Sequence, residues 1–237
     1  TVDKLWNRVI WFDENLSTPF ARQYGGLGSG YGQFSEPSGV VISGPYEYDA
    51  GNAHNFDYYL FVADKRNNRI DKFTYNIDVS GNVWGWRIKP NSFTWLAMEK
   101  PHDIELHKGI NGGTSLNDQN DDLLWVVQDY VSGKKLMSIN AINGTPLNEI
   151  TKFRYNGNIY NLNPSRISVY RSPNGQTNVL ACIDEFLHAV IFFKLNPDGT
   201  MLAPAIPYAA SVWQFNSWDN LTSVKFLSTN PAFGLQA

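Results

Sequence analysis

Short apolar runs of strand length, broken by clusters of Gly, Pro, Asn and Asp, follow one another along the whole of this chain. The pattern is sharpest between residues 25 and 73. Val40 and Ile42 alternate with small or polar neighbours, as do Leu60 and Val62, and Ile70 and Phe73 continue the pattern further on. The polar cluster from Asp64 to Asn68 separates two apolar runs, which signals a hairpin. The stretch therefore predicts turn, strand, long loop, strand, tight turn, strand.

The same order recurs. Strands are predicted over 39–43, 59–64, 69–75 and 83–88, with a polar and aromatic loop over 44–57. A second set covers 100–106, 122–129, 135–141 and 148–155, and a third covers 163–169, 177–184, 189–195 and 211–215. Pro37, Pro101 and Pro164 open the three sets at spacings of 64 and 63 residues, and Asp64, Asp129 and Asp184 close the second strand of each. A propeller blade takes about 40 to 50 residues, so each of these blades carries roughly 15 to 20 residues of insertion. Residues 7–13 and 20–25 predict a trailing half-blade, and 221–227 a leading strand. The expected fold is an all-β propeller of four-stranded blades in one domain over 1–237. Its units are 1–25, 26–91, 92–156, 157–216 and 217–237. If the ends meet, they close a ring of about four blades; otherwise these are blades of a larger propeller. A two-layer sandwich does not account for the matched Pro and Asp positions.

Two runs carry a family likeness: Tyr31-Gly32-Gln33-Phe34-Ser35-Glu36-Pro37-Ser38-Gly39 and Phe61-Val62-Ala63-Asp64-Lys65-Arg66-Asn67-Asn68-Arg69-Ile70. They resemble the opening and hairpin of NHL-repeat β-propellers, with the strongest likeness over 25–73. In that likeness Asn67, Asn68 and Arg69 belong to the hairpin itself. Asn tolerates the positive φ of the turn, and Arg69 can pair with a carboxylate such as Asp64. The closing acids Asp64, Asp129 and Asp184 read either as a ring of carboxylates near one face or as caps of the turns that follow them, and their recurrence in every blade favours capping.

Composition narrows the function. With 19 Lys and Arg against 22 Asp and Glu, and its basic residues scattered, the chain lacks the basic face of a nucleic-acid binder. The RNA-binding NHL propellers of the TRIM class are therefore a poor parallel. No run of 18 apolar residues is present, so no membrane-spanning helix is expected. The chain starts at Thr1, as a processed chain or a piece of a longer one does. The single cysteine, Cys182, sits in an apolar run and reads as a buried, inert thiol. Sequons at Asn15, Asn143 and Asn220 accord with an extracellular or cell-surface protein.

Candidate chemistry lies in two places. Tyr46, Tyr48, His54 and Phe56 put aromatic and polar groups in the first long loop, a suitable platform for a sugar or a peptide. His102 follows the repeat proline, where Ser38 and Ser165 stand in the other blades. In the peptidyl-amidating lyases, which share the NHL-type propeller, Pro-His at this point supplies zinc ligands from several blades. Pro101-His102 resembles such a dipeptide, and residues 187–192 resemble the lyase hairpin. Zinc needs about three converging ligands, and neither His54 in a loop nor His107 at a strand end supplies a clear second one. The acidic stretch 117–122 offers oxygen ligands for calcium without the EF-hand spacing. The expectation is a non-catalytic extracellular or cell-surface module that presents loops to a protein or glycan, without a cofactor. Its binding residues would be Tyr46, Tyr48, His54, Phe56 and His102. The alternative is a metal-dependent lyase or hydrolase with its site near His102, and an architectural piece of a surface protein is a third reading.

Overall fold

The computed structural model describes residues 1–11, 22–47, 56–77, 87–88, 94–107, 122–130, 133–172, 177–202, 206–215 and 223–224. These residues form an all-β protein of propeller-type blades, antiparallel meanders in which strands adjacent in sequence pair. No helix among them is long and apolar enough to cross a membrane. The chain divides into two compact units, Thr1–Ile104 and Glu105–Ala237.

The first unit holds two sheets. β1 (Val2–Asp3), β2 (Arg8–Trp11) and β3 (Arg22–Gly25) form a three-stranded sheet. β4 (Pro37–Glu47), β5 (Phe56–Asp64) and β6 (Arg69–Ile77) form the inner part of a blade. Its outer edge is shared by β7 (Arg87–Ile88), paired with Tyr75 and Asn76, and β8 (Thr94–Ala97), paired with Arg69–Lys72. β4 and β5 run further than the sequence pattern predicts, because the ladder continues through Tyr46, paired with Asp57, and Glu47, paired with Phe56. The predicted 44–57 loop is correspondingly shorter. Of the predicted strand over 83–88, only β7 falls within the described residues.

Packing between these sheets is aromatic. Val9, Phe34, Leu60, Val62 and Phe73 form a buried cluster, with Tyr24 against it. Tyr24, Phe34 and Phe73 meet edge to face at 5.3–6.2 Å between ring centres, the arrangement that the ring quadrupoles favour. Gly25 makes this possible. Its φ is +120°, and a Cβ there would come within 2.6 Å of the Phe34 ring.

The boundary between the units falls within β9 (Pro101–His107), the first strand of the sheet completed by β10 (Leu123–Tyr130), β11 (Gly133–Asn140) and β12 (Pro146–Ile150). The strand predicted over 148–155 is in fact two. Thr151 breaks it, and β13 (Lys152–Tyr155) turns back on β14 (Asn158–Asn161) as a separate hairpin. The next blade is β15 (Pro164–Arg171), β16 (Asn178–Asp184), β17 (Ala189–Leu195) and β18 (Ala209–Gln214). Of the run 221–227, Ser223 and Val224 are described, and neither is in a strand.

β16 is covered on both faces. Leu180 and Cys182 join a core with Trp125, Leu136, Phe153, Ile167 and Phe193, while Ala181 and Ile183 pack with Val190 and Phe192. A strand buried on both sides reads as a continuous apolar run rather than an alternating one, and Val179-Leu180-Ala181-Cys182-Ile183 does. Cys182 is free and buried, as its surroundings in the sequence imply. Trp125 is fully buried in the same core.

Candidate functional site

The β5–β6 hairpin is held by a buried charge network. Asp64 accepts hydrogen bonds from the Ser35 amide at 2.6 Å and the Asn67 side chain at 2.6 Å, and its Oδ2 lies 3.3 Å from Arg69 Nε. Arg69 spreads its other donors over the carbonyls of Ser29 at 2.8 Å and Gln33 at 3.1 Å. Asn67 also reaches the Gly28 carbonyl at 2.8 Å, and Asn68 holds the left-handed turn position with a φ of 54°. The residues of the family likeness thus tie the segment 28–35 to the hairpin. Their role is structural, as the sequence implies for Asp64 and Arg69.

Asp71 completes the network, 2.8 Å from Arg69 Nε and fully buried. Burial pushes its carboxyl up to about 8, and the neighbouring Asp64 adds to the rise while Arg69 opposes it. Asp64 is raised as well, mainly by burial. Two buried carboxyls beside one guanidinium cannot both be balanced as anions, so the pair holds a proton at neutral pH.

His102 lies half-buried on β9, and its Nδ1 is 3.0 Å from Lys65 Nζ. An ammonium can only donate, so Nδ1 accepts and Nε2 carries the ring proton. Neither nitrogen then offers the lone pair a zinc ion needs. Among the described residues no group of three or more His, Cys, Asp or Glu could hold a metal. The donor set around His102 does not fit the zinc that the lyase likeness implies.

The other predicted binding residues are dispersed. Tyr46 and Phe56 are on β4 and β5, each at a paired position of the ladder rather than on a free loop. Tyr48 and His54 lie outside the described residues, as does most of the acidic stretch 117–122. His107 is buried, and its pKa is lowered chiefly by that burial. Asn178 stands close enough to favour the charged ring, yet neither ring nitrogen closes a hydrogen bond. Gly199, at φ +81°, leaves the space that the ring fills. His188 is exposed at the second hairpin turn.

That second hairpin, between β16 and β17, repeats the first with different chemistry. Asp184 accepts from the amides of Asn163 at 2.7 Å, Phe186 at 3.0 Å and Leu187 at 2.8 Å, so it caps the turn. A backbone bond from the Glu185 amide to the Asn163 carbonyl ties this turn to the segment before β15. The bond from the Arg66 amide to the Ser35 carbonyl does the same for the first turn. At the tip, however, Phe186 projects with 80% of its surface exposed.

Phe186 borders a groove of about 820 Å³ lined also by Lys134, Lys135, Glu149, Thr151, Lys152, Asn161 and Asn163, with buried Leu162 in its wall. Such a volume lies within the roughly 300–1,000 Å³ usual for small-molecule sites. The break at Thr151 creates it, because the β13–β14 hairpin departs from β12 there and carries Lys152 and Asn161 to its lining. Lys134 pairs with Glu185 at 2.5 Å and Lys135 with Glu149 at 2.9 Å. Sequence reasoning overlooked this place. The available signal was the hairpin alignment, in which Phe186 takes the place of Arg66, whose side chain is 69% exposed.

No family model and no curated protein matches the chain. Solved structures of an exo-beta-1,3-galactanase from Phanerochaete chrysosporium do. The structure with galactose is 14% identical at a TM-score of 0.41. A second structure of that enzyme, with beta-1,3-galactotriose, is 12% identical at 0.42. In both matches 74% of this chain is covered and 42% of the other, so the chain spans less than half the length of those structures. The expectation of a non-catalytic module stands against these matches, which are to structures of an enzyme.

Proposed function

We propose that the chain is part of a glycan-directed hydrolase and that its sugar lies in the Phe186 groove. The observation that carries this reading is the composition of the groove. An exposed phenyl ring offers the flat apolar surface on which a pyranose stacks, and the side-chain amides of Asn161 and Asn163 suit its hydroxyls. Glu149 on the lining, and Glu185 next to Phe186, supply two carboxyl groups of the kind glycoside hydrolysis requires. Each of these carboxyl groups is ion-paired with a lysine of the groove lining. An extracellular setting accords with the sequon at Asn143, which is exposed in the turn after β11. The NHL-type reading of the blades rests on the Asp64–Asn67–Arg69 hairpin and is part of the same proposal.

The test is release of reducing ends from a panel of oligosaccharides. The expected result is turnover by the native chain and loss of at least about a hundredfold in Glu149→Gln or Glu185→Gln, the scale of a missing acid–base group. Turnover that survives both substitutions, or its absence on every glycan tried, would refute the assignment.

A further inference from the structure

We infer that the groove selects a sugar carrying a negative charge, a uronate or a sulfated ring, over its neutral counterpart. The inference rests on the glycan reading of the groove and adds its substrate class.

The charges around the groove do not cancel. Lys134 and Lys135 are matched by Glu185 and Glu149, each within 2.9 Å. Lys152, exposed at the start of β13, makes no ion pair among the described residues, yet it lines the same groove. One ammonium is thus left for whatever occupies the site. Beside it stand Asn161 and Asn163, whose side-chain amides have no partner among the described residues. A neutral sugar would use the amides and the Phe186 face and leave the charge to water. An anionic sugar would use all three. Its charge is placed where it gains a charge-assisted hydrogen bond, about twice as strong as a neutral one. The three contact groups come from the β13–β14 hairpin, the segment after it and the β16–β17 turn, so the ring and its anionic substituent would be held from different sides.

Binding of the full chain to three oligosaccharides of equal length is the test: a hexuronate, a monosulfated hexose and the neutral hexose. At low salt the acidic probes should bind about tenfold more tightly than the neutral one, the value of one charge-assisted contact. Lys152→Gln and added salt should each shrink that ratio, and Phe186→Ala should weaken every probe. Preference for only one of the acidic probes would name the source of the charge and supports the inference. Equal binding of acidic and neutral probes, still weakened by Phe186→Ala, would overturn the charge selection while leaving the glycan reading intact. Binding of a poly-glutamate peptide with none of the sugars would overturn both, as would binding of no probe by chain shown to be folded by its thermal transition.

Discussion

The two hairpins, Asp64–Arg69 and Asp184–Ala189, have the same turn and opposite uses. Each starts with a fully buried aspartate and carries a four-residue turn, and each has a non-glycine residue in left-handed conformation at the same place, Asn68 at φ 54° and His188 at φ 49°. In the first, Asn67 and Arg69 turn their donors onto the carbonyls of 28–33. The strong polar groups there are committed inward. In the second, Leu187 packs on the core and Ala189 replaces the arginine, so the turn needs only its aspartate cap. The tip positions are then released. Phe186 borders the groove, and Glu185 pairs with Lys134 on its lining. A repeat fixes the backbone; the chemistry depends on how few side chains the backbone needs.

Removing Arg69 should show the contrast most strongly. Arg69→Met strands two buried carboxyls and should cost the first unit about 3–5 kcal/mol. Asp184→Ala leaves backbone amides unpaired and should cost about 1–3 kcal/mol. Denaturant titration of each variant measures both, and equal losses would erase the distinction.

The units should also respond oppositely to pH. The Asp71 carboxyl is raised from 3.8 to about 8, so the folded first unit binds more protons than the unfolded chain in that window. Its stability should fall as pH climbs from about 4 to about 8, and Asp71→Asn should flatten the slope. His107 is shifted the other way, lowered from 6.5, so the unfolded chain binds the extra proton. The second unit should therefore lose stability as pH drops below about 6.5. Hydrogen exchange resolved by residue reads the two slopes separately, and slopes of one sign would contradict the assignments.

Smaller effects sharpen the comparison. His188→Asn should stabilise by no more than about 0.5 kcal/mol, because His is, like Asn, among the residues that adopt the left-handed conformation more readily than most. Phe186→Ala should change stability by no more than about 0.5 kcal/mol, as expected of an exposed side chain, while weakening sugar binding. Thermal denaturation of the two variants checks both expectations.

Much of the fold was legible because it depends on local pattern. The spacing of Pro37, Pro101 and Pro164, the closing aspartates Asp64 and Asp184 and the alternating runs place most of the strands, whereas β10 continues past Asp129 to Tyr130. Asp64 and Arg69 could even be paired in advance, since a hairpin brings their ends together. The break at Thr151 was not legible. Residues 148–155 contain no Gly or Pro, and both pieces have strand character. The groove was hidden for a related reason. Its lining comes from four separate segments between Gly133 and Phe186, and no one of them is unusual by itself. The aromatic loop around Tyr46 and Phe56 stood out instead, although the ladder takes in both of those residues.

Amide chemical-shift mapping during titration with a glycan that the chain cleaves tests the central claim most directly. The account predicts perturbations at 133–135, 149–152, 161–163 and 185–186, with the Asp64–Arg69 hairpin unmoved. Perturbations centred on Lys65 and His102, with the Phe186 turn silent, would contradict it.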